Sequence, residues 1–281
     1  MQPGIGFSLQ AQYDLPMEQL IALLQQAGFC AVSPAWSPEL DLDALSACVH
    51  AHGMTIQSLH APYRGIPQLW EPDSPQSAPA RDSMLHCIDL CARYQIPVLV
   101  IHSWQGLSYT FPEAPLNFSI FDQIVMHAQE LGVSIAFENL EGEEYLQALL
   151  TRYWDCPHVG FCWDSGHEHC YPHRLDFLKE FGSRLIMTHL NDNRGCRTPD
   201  GTPRATDDLH FLPNDGNVDW KENLRRLQTV PRQSILNFEI KLRSKSEDPV
   251  DLPYTRLTLE AFVERCGLHA RKLAEQYGAL P

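Results

Sequence analysis

Apolar positions along this chain switch period repeatedly: short runs that alternate apolar with polar residues are followed by stretches in which apolar residues recur every three or four positions. A period of two belongs to strands and a period near 3.6 to helices. The pattern predicts strands near 5–8, 30–33, 55–60, 98–102, 134–138, 159–164, 185–189 and 234–240, with helices in the gaps. In MEQLIALLQQAG, Leu20, Leu23 and Leu24 share a helical face and Gly28 supplies a stop; DLDALSACVHAHG repeats the design and ends at Gly53. The segments 80–94, 116–131 and 253–277 are similar. Eight strand-then-helix units in succession predict parallel strands with crossover helices, and a chain of 281 residues is close to the usual size of one α/β barrel. The expected fold is therefore a (β/α)8 TIM barrel spanning 1–281.

Alternation within the strands agrees. If Glu138 faces inward, so do the small residues Ala136 and Ser134, while Phe137 and Ile135 face the helices; likewise Asn237 goes in with Glu239 and Phe238 goes out. The stretches 66–79 and 191–216 read as long loops after strands three and seven, on the face where barrel enzymes build substrate sites and lids.

The same register puts a ligand-type side chain at the end of nearly every strand in the last two-thirds of the chain. These are His60 in SLHAPY, His102 in VLVIHS, Glu138 in IAFENL, Asp164 and His167 in FCWDSGH, His189 in IMTHLND and Glu239 in LNFEIK, joined by Asp208 and His210 in a following loop. A single strand-end His or Asp is usually a structural hydrogen-bonding or capping residue. Nine at one barrel mouth are different, because clustered acids and imidazoles are costly to bury without a cation. Imidazole with carboxylate and no thiolate suits Zn, Mn, Fe, Co or Mg. Glu138, Asp164, His189 and Glu239, on adjacent staves, form the strongest subset for one ion. His50, His52, His86, His127, His158, His169, His173 and His269 fall on helices or loops and receive no role.

Composition narrows the class. The chain is 44% hydrophobic and 20% charged, with no apolar run long enough for a bilayer span. The N-terminal MQPGIGFSLQAQYDLP lacks the pattern of a secretory signal, so a cytoplasmic location is expected. Nine cysteines without CxxC pairs argue against a disulfide framework or a thiolate zinc knot; Cys162, next to Trp163, either lines the pocket or is a small buried hydrophobe. A formal charge of −14 repels phosphodiester backbones on average and weighs against nucleic acid.

Taken in order, LHAP (59–62), IH (101–102), FEN (137–139), DSGH (164–167), HLND (189–192), DLH (208–210) with GNVDW (216–220), and FE (238–239) resemble the xylose isomerase-like barrels, which include sugar epimerases, hydroxypyruvate isomerase and endonuclease IV. By that resemblance, Glu138, Asp164, His189 and Glu239 would hold one divalent ion, His167 would contact substrate, and Glu138 and Glu239 would double as acid and base. The endonuclease branch implies a wider set: His60, His102, Glu138, Asp164, His167, His189, Asp208, His210 and Glu239 around three zinc ions. Every one of those positions is filled, yet the flanking words HSWQG, HLNDNRG and FEIK depart from that branch and resemble instead the sugar phosphate isomerase/epimerase-like barrels.

The expected function is divalent-metal-dependent isomerisation or epimerisation of a small sugar, keto-sugar or polyol derivative, with one to three ions and proton transfer through an enediolate. The alternative is an endonuclease IV-like multinuclear zinc phosphodiesterase. Arg194 and Arg197 are candidates to meet an anionic substrate group, and Trp104 and Trp163 either stack on a sugar face or pack in the core. No membrane partner is expected, and a homo-oligomer is left open.

Overall fold

A computed structural model describes residues 2–9, 13 and 15–279; the ends of the 1–281 span, and positions 10–12 and 14 of the N-terminal segment, lie outside the described residues. The strands are β1 (Gly4–Leu9), β2 (Ala31–Pro34), β3 (Thr55–Ile56), β4 (Leu59–His60), β5 (Val98–His102), β6 (Ser134–Glu138), β7 (Val159–Asp164), β8 (Leu185–His189) and β9 (Ile235–Phe238). Around them run α1 (Met17–Gln26), α2 (Leu42–Ala51), α3 (Ser77–Arg93), α4 (Ser119–Glu130), α5 (Glu143–Arg152), α6 (Ser165–Cys170), α7 (Phe177–Phe181), α8 (Trp220–Leu227) and α9 (Leu259–Ala279).

The strands pair in parallel in two arcs, β3-β2-β1-β9 and β4-β5-β6-β7-β8. Parallel bridges Ala35–His60 and Leu190–Phe238 join the arcs at both seams, closing a TIM barrel. The third predicted strand, 55–60, is broken at Gln57 and Ser58 into β3 and β4, one piece for each arc. The last strand is shorter than the predicted 234–240, so Glu239 stands just past β9, where its N–H still donates to Leu190 O at 3.1 Å.

Inward parity holds along the staves. Val98, Val100, Ala136, Cys162 and Met187 form a small apolar plug inside the barrel, whereas Ile135, Phe137, Phe161, Trp163, Leu236 and Phe238 belong to the large core between strands and helices. Local chemistry fixes the helix ends. Asp41 caps α2 by accepting from Ala44 N at 2.9 Å, and Gly28 and Gly53 take positive φ (93° and 67°) after α1 and α2, where a side chain would be strained. The predicted helices at 80–94, 116–131 and 253–277 are α3, α4 and α9, with ends displaced by one to six residues. The loops at 66–79 and 191–216 each contain a 3-10 turn, Pro67–Trp70 and Ala205–Asp207, and Asp192 pairs antiparallel with Phe211 in the second. No described helix is long and apolar enough to cross a membrane.

Candidate metal centre

Parallel strands deliver their C-terminal ends to one rim, and all nine singled-out side chains meet there through Glu138. This carboxylate, closed to solvent, has His60 Nε2 at 3.2 Å and His102 Nε2 at 3.4 Å on Oε2, and His189 Nδ1 at 2.9 Å and His167 Nδ1 at 3.4 Å on Oε1. His189 Nδ1 is also 3.1 Å from Glu239 Oε2, so it lies between two carboxylates. On the far side His167 Nε2 is 3.6 Å from Asp208 Oδ1, and His210 Nε2 is 2.9 Å from the same oxygen. Ligand atoms lie within 4.8 Å of one another in three groupings: Glu138, Asp164, His189 and Glu239; His60, Glu138 and His189; and His167, Asp208 and His210.

The electrostatics of the ring are those of buried acids and imidazoles pressed together. Burial alone would raise the Glu138 carboxyl, but His189, His102 and His167 hold it well below the usual carboxylate range. Burial opposes charging of His189, yet Cys162, Glu138 and Glu239 hold it well above the imidazole range; for His167, Asp164 and Asp208 do the same. Asp164 moves the other way: burial, with Glu138 and Glu239 close by, raises it. His102 is lowered by burial, and its Nδ1 has no hydrogen-bond partner. Asp208 Oδ1 is buried, faces two ring nitrogens and makes no well-directed hydrogen bond. Oxygen and imidazole donors converging without enough protons to share fit a divalent ion, and the donor set holds no thiolate. Burial pushes the Cys162 thiol, inside the barrel below the ring, up to about 12, so it stays an inert small apolar group.

Two asparagines were missed by sequence reasoning, although both sit in quoted motifs. Asn139 of FEN exchanges two 2.8 Å bonds with the Asp164 backbone, locking β6 to β7. Asn191 of HLND gives its Nδ2 to both Asp164 oxygens at 3.0 and 2.9 Å, and Gly166 leaves room for it, since a Cβ there would fall 1.8 Å from Asn191 Oδ1. They hold Asp164, a candidate ligand, in place. Asp192 then fixes the loop carrying Asp208 and His210, accepting from Asn214 N, Val218 N and Trp220 Nε1 at 2.9, 3.0 and 2.9 Å. His210 takes φ +50, uncommon for a non-glycine residue, and is held there by Nδ1 contact with Glu239 O at 3.0 Å.

The remaining candidates stand apart from the ring. Arg197 binds Asp251 Oδ2 at 2.7 Å and Asp207 Oδ1 at 3.2 Å, and Arg194 lies 3.4 Å from Asp251, so both arginines are engaged in tying the 191–216 loop to the segment after β9. Asp251→Ala is expected to leave Arg194 without its carboxylate and Arg197 with Asp207 alone, and to cost about 2 kcal/mol, read from urea unfolding. Trp104 stacks on Tyr145 at 4.2 Å and 5°, which occupies one of its faces. Of the two readings of Trp163, packing holds: it is fully buried in the outer layer, with Nε1 3.1 Å from Glu168 and the Arg226 guanidinium over its ring.

Comparison with known proteins agrees with this architecture. A family model described as xylose isomerase-like TIM barrel matches residues 21–256. An uncharacterized Sinorhizobium fredii protein, y4fM, is 35% identical over 168 residues, 54% of this chain and 50% of that one; the chain spans about half the length of the curated relatives it matches. The IolI protein, in a structure with a zinc atom, superposes with a TM-score of 0.74 at 16% identity over 100% of both chains. D-psicose 3-epimerase from Clostridium cellulolyticum H10, in complex with D-tagatose, superposes with a TM-score of 0.66 at 15% identity, covering 99% of this chain and 98% of that one. At these identities the superpositions establish the fold.

Proposed function

Because the chain belongs to the xylose isomerase-like TIM barrel family, we propose that it is a divalent-metal-dependent isomerase or epimerase that moves a proton on a small sugar, keto-sugar or polyol derivative. The observation that carries this reading is the pair of carboxylates, Glu138 and Glu239, flanking His189 Nδ1 at 2.9 and 3.1 Å. With Asp164 they would hold one ion, which when bound supplies a positive charge that polarises a substrate carbonyl and its neighbouring hydroxyl. The chain's own residues do the rest. Glu239, whose side chain retains 15% exposure, takes the proton from the carbon next to the carbonyl and releases it to solvent, and Glu138, on the other side of the ring, returns one that it draws from His167 Nδ1, 3.4 Å from its Oε1. His167, fixed by its Nδ1 contact with Asn139 O at 3.0 Å, presents its remaining ring edge toward the substrate space and Asp208. Asn191 and Asn139 keep Asp164 from rotating. A zinc-bearing IolI structure and an epimerase complex among proteins of the same fold support the choice of chemistry.

A second reading is favoured by one observation, the separate grouping of His167, Asp208 and His210. It would add ions to the ring and suit hydrolysis of a phosphodiester by a bridged hydroxide. One experiment separates the two. Metal-replete protein incubated in deuterated water with a panel of neutral and phosphorylated ketoses is expected to exchange a carbon-bound hydrogen of at least one sugar, and to leave duplex DNA with an abasic site uncut. Efficient incision that is lost on His102→Ala and on His210→Ala, with no exchange into any sugar, would establish the phosphodiesterase instead.

A further inference from the structure

The barrel interior has two unlike halves. The arc from β5 to β8 fills its side with the apolar plug of Val98, Val100, Ala136, Cys162 and Met187. The other arc turns small and polar residues inward: Gly6 and Ser8 of β1, Ser33 of β2, Gln57 and Ser58 at the break between β3 and β4, and Asn237 of β9. Four of their oxygens are closed to solvent and have no hydrogen-bond partner among the described residues: Ser33 Oγ, Gln57 Oε1, Ser58 Oγ and Asn237 Oδ1. A buried acceptor left unpaired is costly, so four in one region call for a donor. Gly6 shows where two of them meet. A Cβ there would fall 2.8 Å from Gln57 Oε1 and 2.9 Å from Asn237 Oδ1, so both amides lean into the room that a side chain would take. Gly6 is not among the residues of positive φ, so close approach, and not backbone conformation, is what glycine supplies at this point. Gln57 follows β3 and Asn237 lies in β9, the two edges of the β3-β2-β1-β9 arc, and acceptor faces acceptor above β1 between them. Ser33 flanks Gln57 in the register that pairs Val32 with Ile56, and Asn237 is oriented by its Nδ2, which donates to Ser8 Oγ at 2.7 Å.

We propose that this half of the interior is a binding site for ordered water: one molecule above Gly6 donates to both Gln57 Oε1 and Asn237 Oδ1, neighbours serve Ser33 and Ser58, and together they tie the two edges of the arc inside the barrel. The chemistry of the set selects the guest. None of these side chains is ionised, so a cation would be buried without a counter-charge, whereas water is neutral. Water also gives two hydrogens and accepts two, which completes amide acceptors and serine hydroxyls alike and stays matched if either amide is turned over. The tie has work to do at this place. Each edge of the arc meets the other sheet through a single backbone bridge, Ala35–His60 on one side and Leu190–Phe238 on the other, so a link between the edges holds the curvature that closure needs.

The test joins a crystal structure of the full chain, grown in rubidium chloride, to urea unfolding of wild type, Gln57→Met and Ser58→Ala. Density within hydrogen-bond reach of both amides and without anomalous signal is expected above Gly6, and each variant is expected to unfold with an equilibrium constant about tenfold larger than wild type, because each strands a water or its remaining partner. A dry interior predicts the opposite sign, since both substitutions remove an unpaired buried acceptor and would then leave stability unchanged or raise it. Variants as stable as wild type would therefore overturn the tie. Amides that turn to pair with protein groups, leaving no density between them, would overturn the water site, and a rubidium peak above Gly6 would overturn the choice of water over a cation.

Discussion

Glu239→Gln is expected to lower turnover by about 10² to 10⁴-fold while substrate affinity stays within about tenfold. The residue stands at the point where β9 has ended, 15% exposed, with Oε2 3.1 Å from His189 Nδ1. Burial would raise its carboxyl, but His210, His189 and Lys241 hold it well below the carboxylate range, so it is ionised and free to accept a proton at neutral pH. An amide keeps the shape and one oxygen donor but cannot take up that proton. The measurement is the rate at which substrate exchanges its carbon-bound hydrogen in deuterated water, beside metal content to show that the ring is still filled. Full exchange activity in the variant would remove Glu239 from the chemistry. Glu138 is a poorer subject for the same test, because it belongs to two of the three groupings and its loss would empty the ring.

Metal removal has the other large expected effect. A chelated sample is expected to melt about 10 °C below one holding metal at 1,000 times its dissociation constant, since such binding contributes about 4 kcal/mol to the folded state. Re-addition is expected to release protons. His167 and His189 are held well above the ordinary imidazole value of 6.5 in the metal-free ring, so they are protonated at neutral pH, and ligation requires at least His189 to be neutral. The sign follows: protons compete with the metal, and apparent affinity rises with pH until the raised imidazole values, well above 6.5, are passed, by about tenfold per pH unit for each proton expelled. Calorimetry in two buffers of different ionisation enthalpy reads the proton count. No proton release, or affinity that falls as pH rises toward 8, would contradict a ring in which imidazolium stands in for the ion.

The positions of the six strand-end ring residues, His60, His102, Glu138, Asp164, His189 and Glu239, follow from patterns a few residues long. Side chains alternate with a period of two, parallel strands end on one rim, and so the last inward residue of each stave must face the mouth whatever its distant neighbours are. The same grounds decide between the two readings of Trp163: with Asp164 turned inward, the residue before it turns out, where it packs. Sequence words also carried Asn139 and Asn191, but their purpose did not show, because the Asp164 atoms they hold come from other strands. The assignment of cations needed the folded chain. Arg194 and Arg197 look available in HLNDNRGCR, yet their counterion Asp251 lies more than fifty residues away, and only the path of the segment after β9 brings it beneath them while carrying Lys241 and Lys245 to Asp208. The sharing of ligands is of the same kind: strand tilt and barrel closure, which no local period encodes, put Glu138 among four imidazoles and left His167, Asp208 and His210 as a group of their own.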